Sequence, residues 1–132
     1  MYAVEVRDHI MIAHSLPRPV FGPAQGLHGA TFEVDAAFFS DDVDEDGLGV
    51  DMGLAIATLK EVLAPLNYQN LDALEIFRGK VTTTEVLARH VFDMLAGRIR
   101  AGAFGAGGAR IRRIRVTLHE SHVARAWYEG AL

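Results

Sequence analysis

No cysteine occurs anywhere in the chain, which excludes disulfides, thiolate metal ligands and thiol nucleophiles before any structural argument. Nor is there an apolar run approaching the ~20 residues that a membrane-spanning helix needs. The N-terminus sets Glu5, Arg7 and Asp8 inside an alternating pattern and does not have the form of a signal peptide. A soluble cytoplasmic protein with no membrane partner is expected. Charge is scarce as well: 23% of residues are charged and the net charge is -4, a balance that argues against a nucleic-acid partner. The cluster Arg110, Arg112, Arg113 and Arg115 is spread over both faces of a strand and reads as solvated surface or subunit contact. What is plentiful is apolar, since half of the 132 residues are hydrophobic. That composition and length describe one domain, 1-132, with a real core.

Two long alternating stretches open the chain. In Tyr2 to His14 the residues Val4, Val6, Ile10, Ile12 and His14 share one parity, interrupted by Asp8, while Glu5, Arg7 and His9 take the other. A second strand begins within Gln25 to Val34 and runs to about Phe39, with His28, Ala30, Phe32, Val34, Ala36 and Phe38 on one face. If the two pair antiparallel across the loop Ser15 to Leu27, His14 and His28 become neighbours at one end of the apolar face. The acidic segment Ser40 to Gly47 matches the opening of a calcium loop at Asp42, Asp44, Asp46 and Gly47, but Gly53 stands at the twelfth position where a glutamate should close the site. It reads as a solvated turn.

Asp51 caps a helix whose Met52, Ala55, Ile56, Leu59, Val62 and Leu63 recur at helical spacing until Pro65 ends it. Leu66 to Asp72 is a polar connection or short turn. A second helix starts near Thr83 and carries Leu87, Val91, Met94, Leu95 and Ile99 inward, with Thr82 and Glu85 as a capping box. The glycine-rich piece Gly102 to Gly108 lacks the flanking strand and helix of a phosphate-cradling loop and reads as a flexible turn. Third and fourth strands follow over Ile111 to Glu120 and Val123 to Tyr128. The order strand, strand, helix, helix, strand, strand predicts an α+β fold, a four-stranded antiparallel sheet with two helices on one face.

Three features carry chemistry. Glu120 continues the parity of Ile114, Val116 and Leu118, so the pattern predicts a carboxylate on the buried side, paired with a strand arginine or gripping a cyclic amidine edge with two parallel hydrogen bonds. Thr82, Thr83 and Thr84 offer three consecutive hydroxyls, either to the helix start or to a polar pocket. His14 and His28 read either as hydrogen-bonded imidazoles at a pocket rim or as two zinc ligands that need a third.

In order, Ile12-Ala13-His14, Leu27-His28-Gly29, Val50-Asp51-Met52-Gly53 with Leu59-Lys60, Leu66 to Asp72, Val81-Thr82-Thr83-Thr84-Glu85, and Glu120-Ser121 with Tyr128 and Gly130 form a set. Over nearly its whole length the chain resembles the 6-pyruvoyltetrahydropterin synthase and 6-carboxytetrahydropterin synthase family. The resemblance implies the tunnelling fold, in which trimers close their sheets into a barrel and two trimers stack as a homohexamer. It implies active sites between subunits, a zinc held by three histidines, and a pterin held by a glutamate.

Residue by residue, the resemblance puts His14 and His28 at the first two zinc ligands and Ala30 at the third. Ala24 stands where the family has its cysteine, four residues before the His-Gly-His motif. The family's Leu-Asp-His segment reads Leu66-Asn67-Tyr68, so the carboxylate is an amide and the imidazole a phenol; an amide cannot charge-stabilise a base as a carboxylate does. Glu120 matches the pterin-anchoring glutamate, and Thr83, Thr84 and Glu85 match residues of the same pocket. The expectation is therefore a binder of a pterin or purine-like small molecule, without a resident zinc cofactor and without the zinc-dependent reaction. The alternatives are an active synthase with a rebuilt site, using His14, His28 or Tyr68 as acid-base groups, and a non-catalytic scaffold.

Overall fold

The computed structural model describes residues 1–132. Strand β1 (Tyr2–His14) and strand β2 (His28–Ser40) form a 13-rung antiparallel ladder from Tyr2 opposite Ser40 to His14 opposite His28. Helix α1 (Met52–Leu63), the two-residue strand β3 (Gln69–Asn70) and helix α2 (Thr84–Arg100) follow. Strands β4 (Ile111–His119) and β5 (Arg125–Ala131) complete the sheet, whose order is β3-β1-β2-β4-β5.

The sheet corrects the expectation of four antiparallel strands. β3 pairs parallel to β1 through Ile12 and Ala13, which makes the sheet five-stranded and mixed. Two residues carry no periodicity, so the connection 66–72 gave no strand signal. The third strand ends at His119, one residue short of Glu120, and the last runs over Arg125–Ala131 rather than Val123 to Tyr128. The rest of the α+β architecture is as the pattern predicts.

Both helices cover the even-numbered face of β1, β2 and β4. Ile10, Ile12, Phe32, Val34, Phe38, Ile114, Val116 and Leu118 from the sheet pack against Ala55, Leu59, Val62 and Leu63 of α1 and Leu87, Val91, Phe92, Leu95 and Ile99 of α2. Asp51 caps α1 by accepting from the Leu54 N–H at 3.1 Å. Met52, Ile56 and Met94, expected inward, face solvent; Thr58, Ala88, Phe92 and Ala96 fill those places. The buried stripe is centred about one position away from the one the apolar residues alone define. No helix is long and apolar enough to cross a membrane.

The opposite face of the sheet has no helix on it. There Asp35, buried in the middle strand, accepts from Arg7 Nε at 2.6 Å and Nη2 at 2.9 Å, and its Oδ2 lies 2.7 Å from His119 Nε2. Arg7 and then His119 hold this carboxyl below the usual aspartate range, against the opposing effect of burial. The network ties β1, β2 and β4 together side chain to side chain.

Candidate functional site

The antiparallel ladder ends with His14 opposite His28, and their rings meet edge-on with centroids 4.6 Å apart. His14 is buried and its ring stands edge-on to Phe32 at 6.5 Å, whereas His28 is half-buried. His28 Nδ1 lies 2.8 Å from the Gly26 carbonyl oxygen. A carbonyl only accepts, so Nδ1 carries a proton and donates it to Gly26, which leaves Nε2 as the atom facing other partners. His14 Nδ1 lies 3.0 Å from the hydroxyl of Thr82. Burial, and secondarily His28, pushes His14 below the ordinary histidine value; Thr82, Asp72 and Glu120 pull it back up.

Thr82 is buried and spends its hydroxyl on His14, while Thr83 is the residue that caps α2, its Oγ1 accepting from the Val86 N–H at 3.3 Å. The expected capping box of Thr82 and Glu85 is not formed: the cap is Thr83, whose third helical residue is Val86, and Glu85 makes no bond back to the helix start. Thr83 and Thr84 are half-buried and Glu85 is exposed on the first turn of α2. The long arm of the site comes from the connection after α1. Asp72 accepts from Ser15 N–H at 3.2 Å and Ser15 Oγ at 2.6 Å, fastening that connection to the residue after His14.

Glu120 follows β4 directly, one position beyond the rung of His119 opposite Glu33, which brings it level with Phe32 on the His14 side of the sheet. Its N–H donates to the Ala124 carbonyl at 3.1 Å to close the β4–β5 turn. The expected burial is not met: in the single chain Glu120 is exposed, because the strand has already ended. No arginine pairs with it.

Asn67 and Tyr68 together clamp Met11. Asn67 Oδ1 accepts the Met11 N–H at 3.0 Å and the Tyr68 N–H donates to the Met11 carbonyl at 2.7 Å. Tyr68 adopts φ 59°, the left-handed region, and its ring is 74% exposed. Ala24 lies in the short helical turn Pro19–Gln25 of the β1–β2 loop, its carbonyl accepting from Leu16 N–H at 3.1 Å.

The donor set around His14 falls short of a zinc site. Ala30, two rungs from His28 and opposite Ile12, supplies no ligand, and no group of three histidine, cysteine, aspartate or glutamate side chains comes together in the chain. Two imidazoles do not fit a site that needs three protein ligands. Sequence reasoning missed Asp72 and the Arg7–Asp35–His119 network. The odd parity of Arg7, Asp35 and His119 on three strands was the available signal.

Set against known proteins, the 6-pyruvoyl tetrahydropterin synthase family model matches residues 3–131. The chain belongs to that family. It is 32% identical over 91 residues to the 6-carboxy-5,6,7,8-tetrahydropterin synthase of Bacillus subtilis (strain 168), a match spanning 64% of this chain and 59% of that protein. Among solved structures, the 6-pyruvoyl tetrahydropterin synthase of Caenorhabditis elegans aligns with a TM-score of 0.82 at 22% identity, over 98% of this chain and 96% of that one. The Plasmodium falciparum enzyme of the same name aligns with a TM-score of 0.76 at 16% identity, over 98% and 99%. At those identities the structural likeness shows the fold.

Proposed function

We propose that this protein binds a pterin, or a similar bicyclic purine-like ring, at the site around His14, and that it does so without the zinc-dependent synthase reaction. Glu120 grips the amino-pyrimidinone edge through two parallel hydrogen bonds, and Thr83, Thr84 and Glu85 line the pocket. What supports this reading is that Thr82, at the start of α2, bonds the buried His14, while the unpaired Glu120 follows the strand at the register position of Phe32, whose ring meets His14 edge-on, in a chain of this family. A carboxylate with both oxygens free accepts two N–H groups from such a ring; one already held by an arginine would not.

The missing reaction rests on the donor set and the proton-transfer residues. Loss of triphosphate from dihydroneopterin triphosphate needs an electrophile to polarise the side chain and a base to take its protons. Ala30, Ala24, Asn67 and Tyr68 occupy the positions that the family uses for these. We further propose the tunnelling-fold assembly, trimers stacked as a hexamer. In support, the outer edge of β5 and most of the outer edge of β1 are unpaired, and a neighbouring subunit would cover the exposed Glu120 and Tyr68.

A second reading keeps a synthase with a rebuilt site in which His14, His28 or Tyr68 moves protons; the identity to the Bacillus subtilis protein favours it. Titration calorimetry with reduced and oxidised pterins tests the binding, with Glu120→Ala expected to abolish it. Equal binding by that variant, or none by the wild type, refutes the pocket assignment. Product formation from dihydroneopterin triphosphate with stoichiometric zinc would establish the second reading instead.

A further inference from the structure

A second cleft, of about 550 Å³, opens between residues 77–81, the solvent side of α2 and Tyr128 of β5. Of the residues placed around the pterin only Glu85 lines it; His14, His28, Thr82 and Glu120 do not. Its volume falls in the roughly 300–1,000 Å³ range of small-molecule sites. Phe77, Val81, Val86 and Tyr128 supply apolar walls.

The charges around it fall into two kinds. Arg89 is satisfied: its Nε is 3.0 Å from Asp93 Oδ1 and its guanidinium lies 4.5 Å above the centre of the Tyr128 ring. Lys80 and Glu85 are exposed and have no protein partner. Both line the cleft, neither belongs to an ion pair or a side-chain hydrogen bond, and they are of opposite sign. His90, also in the wall, stands edge-on to Phe77 with ring centroids 4.9 Å apart and no hydrogen-bond partner of its own. Burial first, and then Lys80, pushes His90 below the ordinary histidine value, so at neutral pH it offers one donor and one acceptor.

We propose that this cleft binds a zwitterion carrying a flat apolar ring, of the aromatic α-amino acid class, with its carboxylate on Lys80, its ammonium at Glu85 and its ring between Phe77 and Tyr128. A purely anionic ligand would set its charge against Glu85, and a purely cationic one against Lys80. Only a dipolar ligand neutralises both. His90 meets the polar rim of the ligand as a neutral partner. The inference shares Glu85 with the pterin reading, whereas Lys80, His90 and Tyr128 take no part in that site, so Lys80→Met probes this cleft alone.

The test uses the full chain in whatever assembly it forms, with L-tryptophan, indole-3-propionate (no ammonium) and tryptamine (no carboxylate) as probes in titration calorimetry. Tryptophan is expected to bind about tenfold more tightly than either analogue, the worth of one charge-assisted hydrogen bond. Lys80→Met, at an exposed position, should weaken tryptophan by about the same factor, spare tryptamine and leave the thermal midpoint unchanged, and Lys80→Arg should restore most of the loss. Glu120→Ala should have no effect on tryptophan, which separates this site from the pterin pocket. The proposal is overturned by equal affinity for all three probes, by no saturable tryptophan binding at millimolar concentration, or by binding that responds to Glu120→Ala and not to Lys80→Met.

Discussion

Thr82 holds its hydroxyl 3.0 Å from Nδ1 of His14, joining the last residue of β1 to the segment that starts α2 across 68 positions of sequence. Both side chains are buried, so the bond is the only polar partner the Nδ1 atom has. Thr82→Val removes the hydroxyl at nearly constant volume and strands that nitrogen. It should lower unfolding free energy by about 1–3 kcal/mol in urea, with Thr82→Ser recovering most of it. An unchanged midpoint for the valine variant would show that His14 turns to another partner.

Two pH windows follow from the shifted groups. His14 and His90 are held below the ordinary histidine value in the folded chain, so as pH falls through ~6.5 the unfolded chain takes up protons that the folded chain resists. Stability should therefore decline from about pH 7 toward pH 5, and His90→Gln should flatten part of that slope. Asp35 acts with the same sign in a lower window: its depressed carboxyl contributes fully above ~4 and its contribution is lost as pH falls further. Asp35→Asn should remove that lower slope. Unfolding midpoints measured from pH 3 to pH 8 separate the two.

Ala30→His places a third imidazole on the face that already carries His14 and His28, two rungs along the ladder. The variant is expected to retain about one zinc per chain after dialysis and to gain thermal stability from it, while the wild type retains far less. Metal analysis and a melting curve with and without zinc check both halves. One full equivalent in the wild type would mean that a subunit partner or another side chain completes the site.

Tyr68 sits at φ 59° with a large exposed ring, a conformation that costs an L-residue roughly 1–2 kcal/mol. Asparagine tolerates it better, so Tyr68→Asn should raise stability by up to about 1 kcal/mol, and Tyr68→Val should lower it. If pterin affinity falls while stability rises in the asparagine variant, the strain is retained for the site rather than for the fold.

Some of this was legible without coordinates because it depends on local periodicity. The pairing of β1 with β2 follows from two alternating stretches and one loop, and it alone predicts that His14 meets His28, as it does at the end of the ladder. Asp51 as a helix cap needs only its neighbours. The order of short motifs sufficed for the family. Other features depend on what lies across space. Thr82 and Thr83 are equivalent as cap residues by type, and only the position of His14 decides that Thr82 turns inward and Thr83 caps. β3 exists because residues 69–70 lie along the edge of β1, which no two-residue pattern announces.

By itself, then, the order of residues determined the layers, the apolar face, the absence of thiol chemistry and the membership in a family, since each rests on residue type and spacing. Tertiary structure decided which polar groups are partnered. Glu120 ends exposed because β4 stops one residue early, and Asp35 ends buried because Arg7 and His119 reach it from two other strands. Whether a charge is satisfied or left open to a ligand is a matter of distances between residues remote in the chain, and spacing along the chain does not contain them.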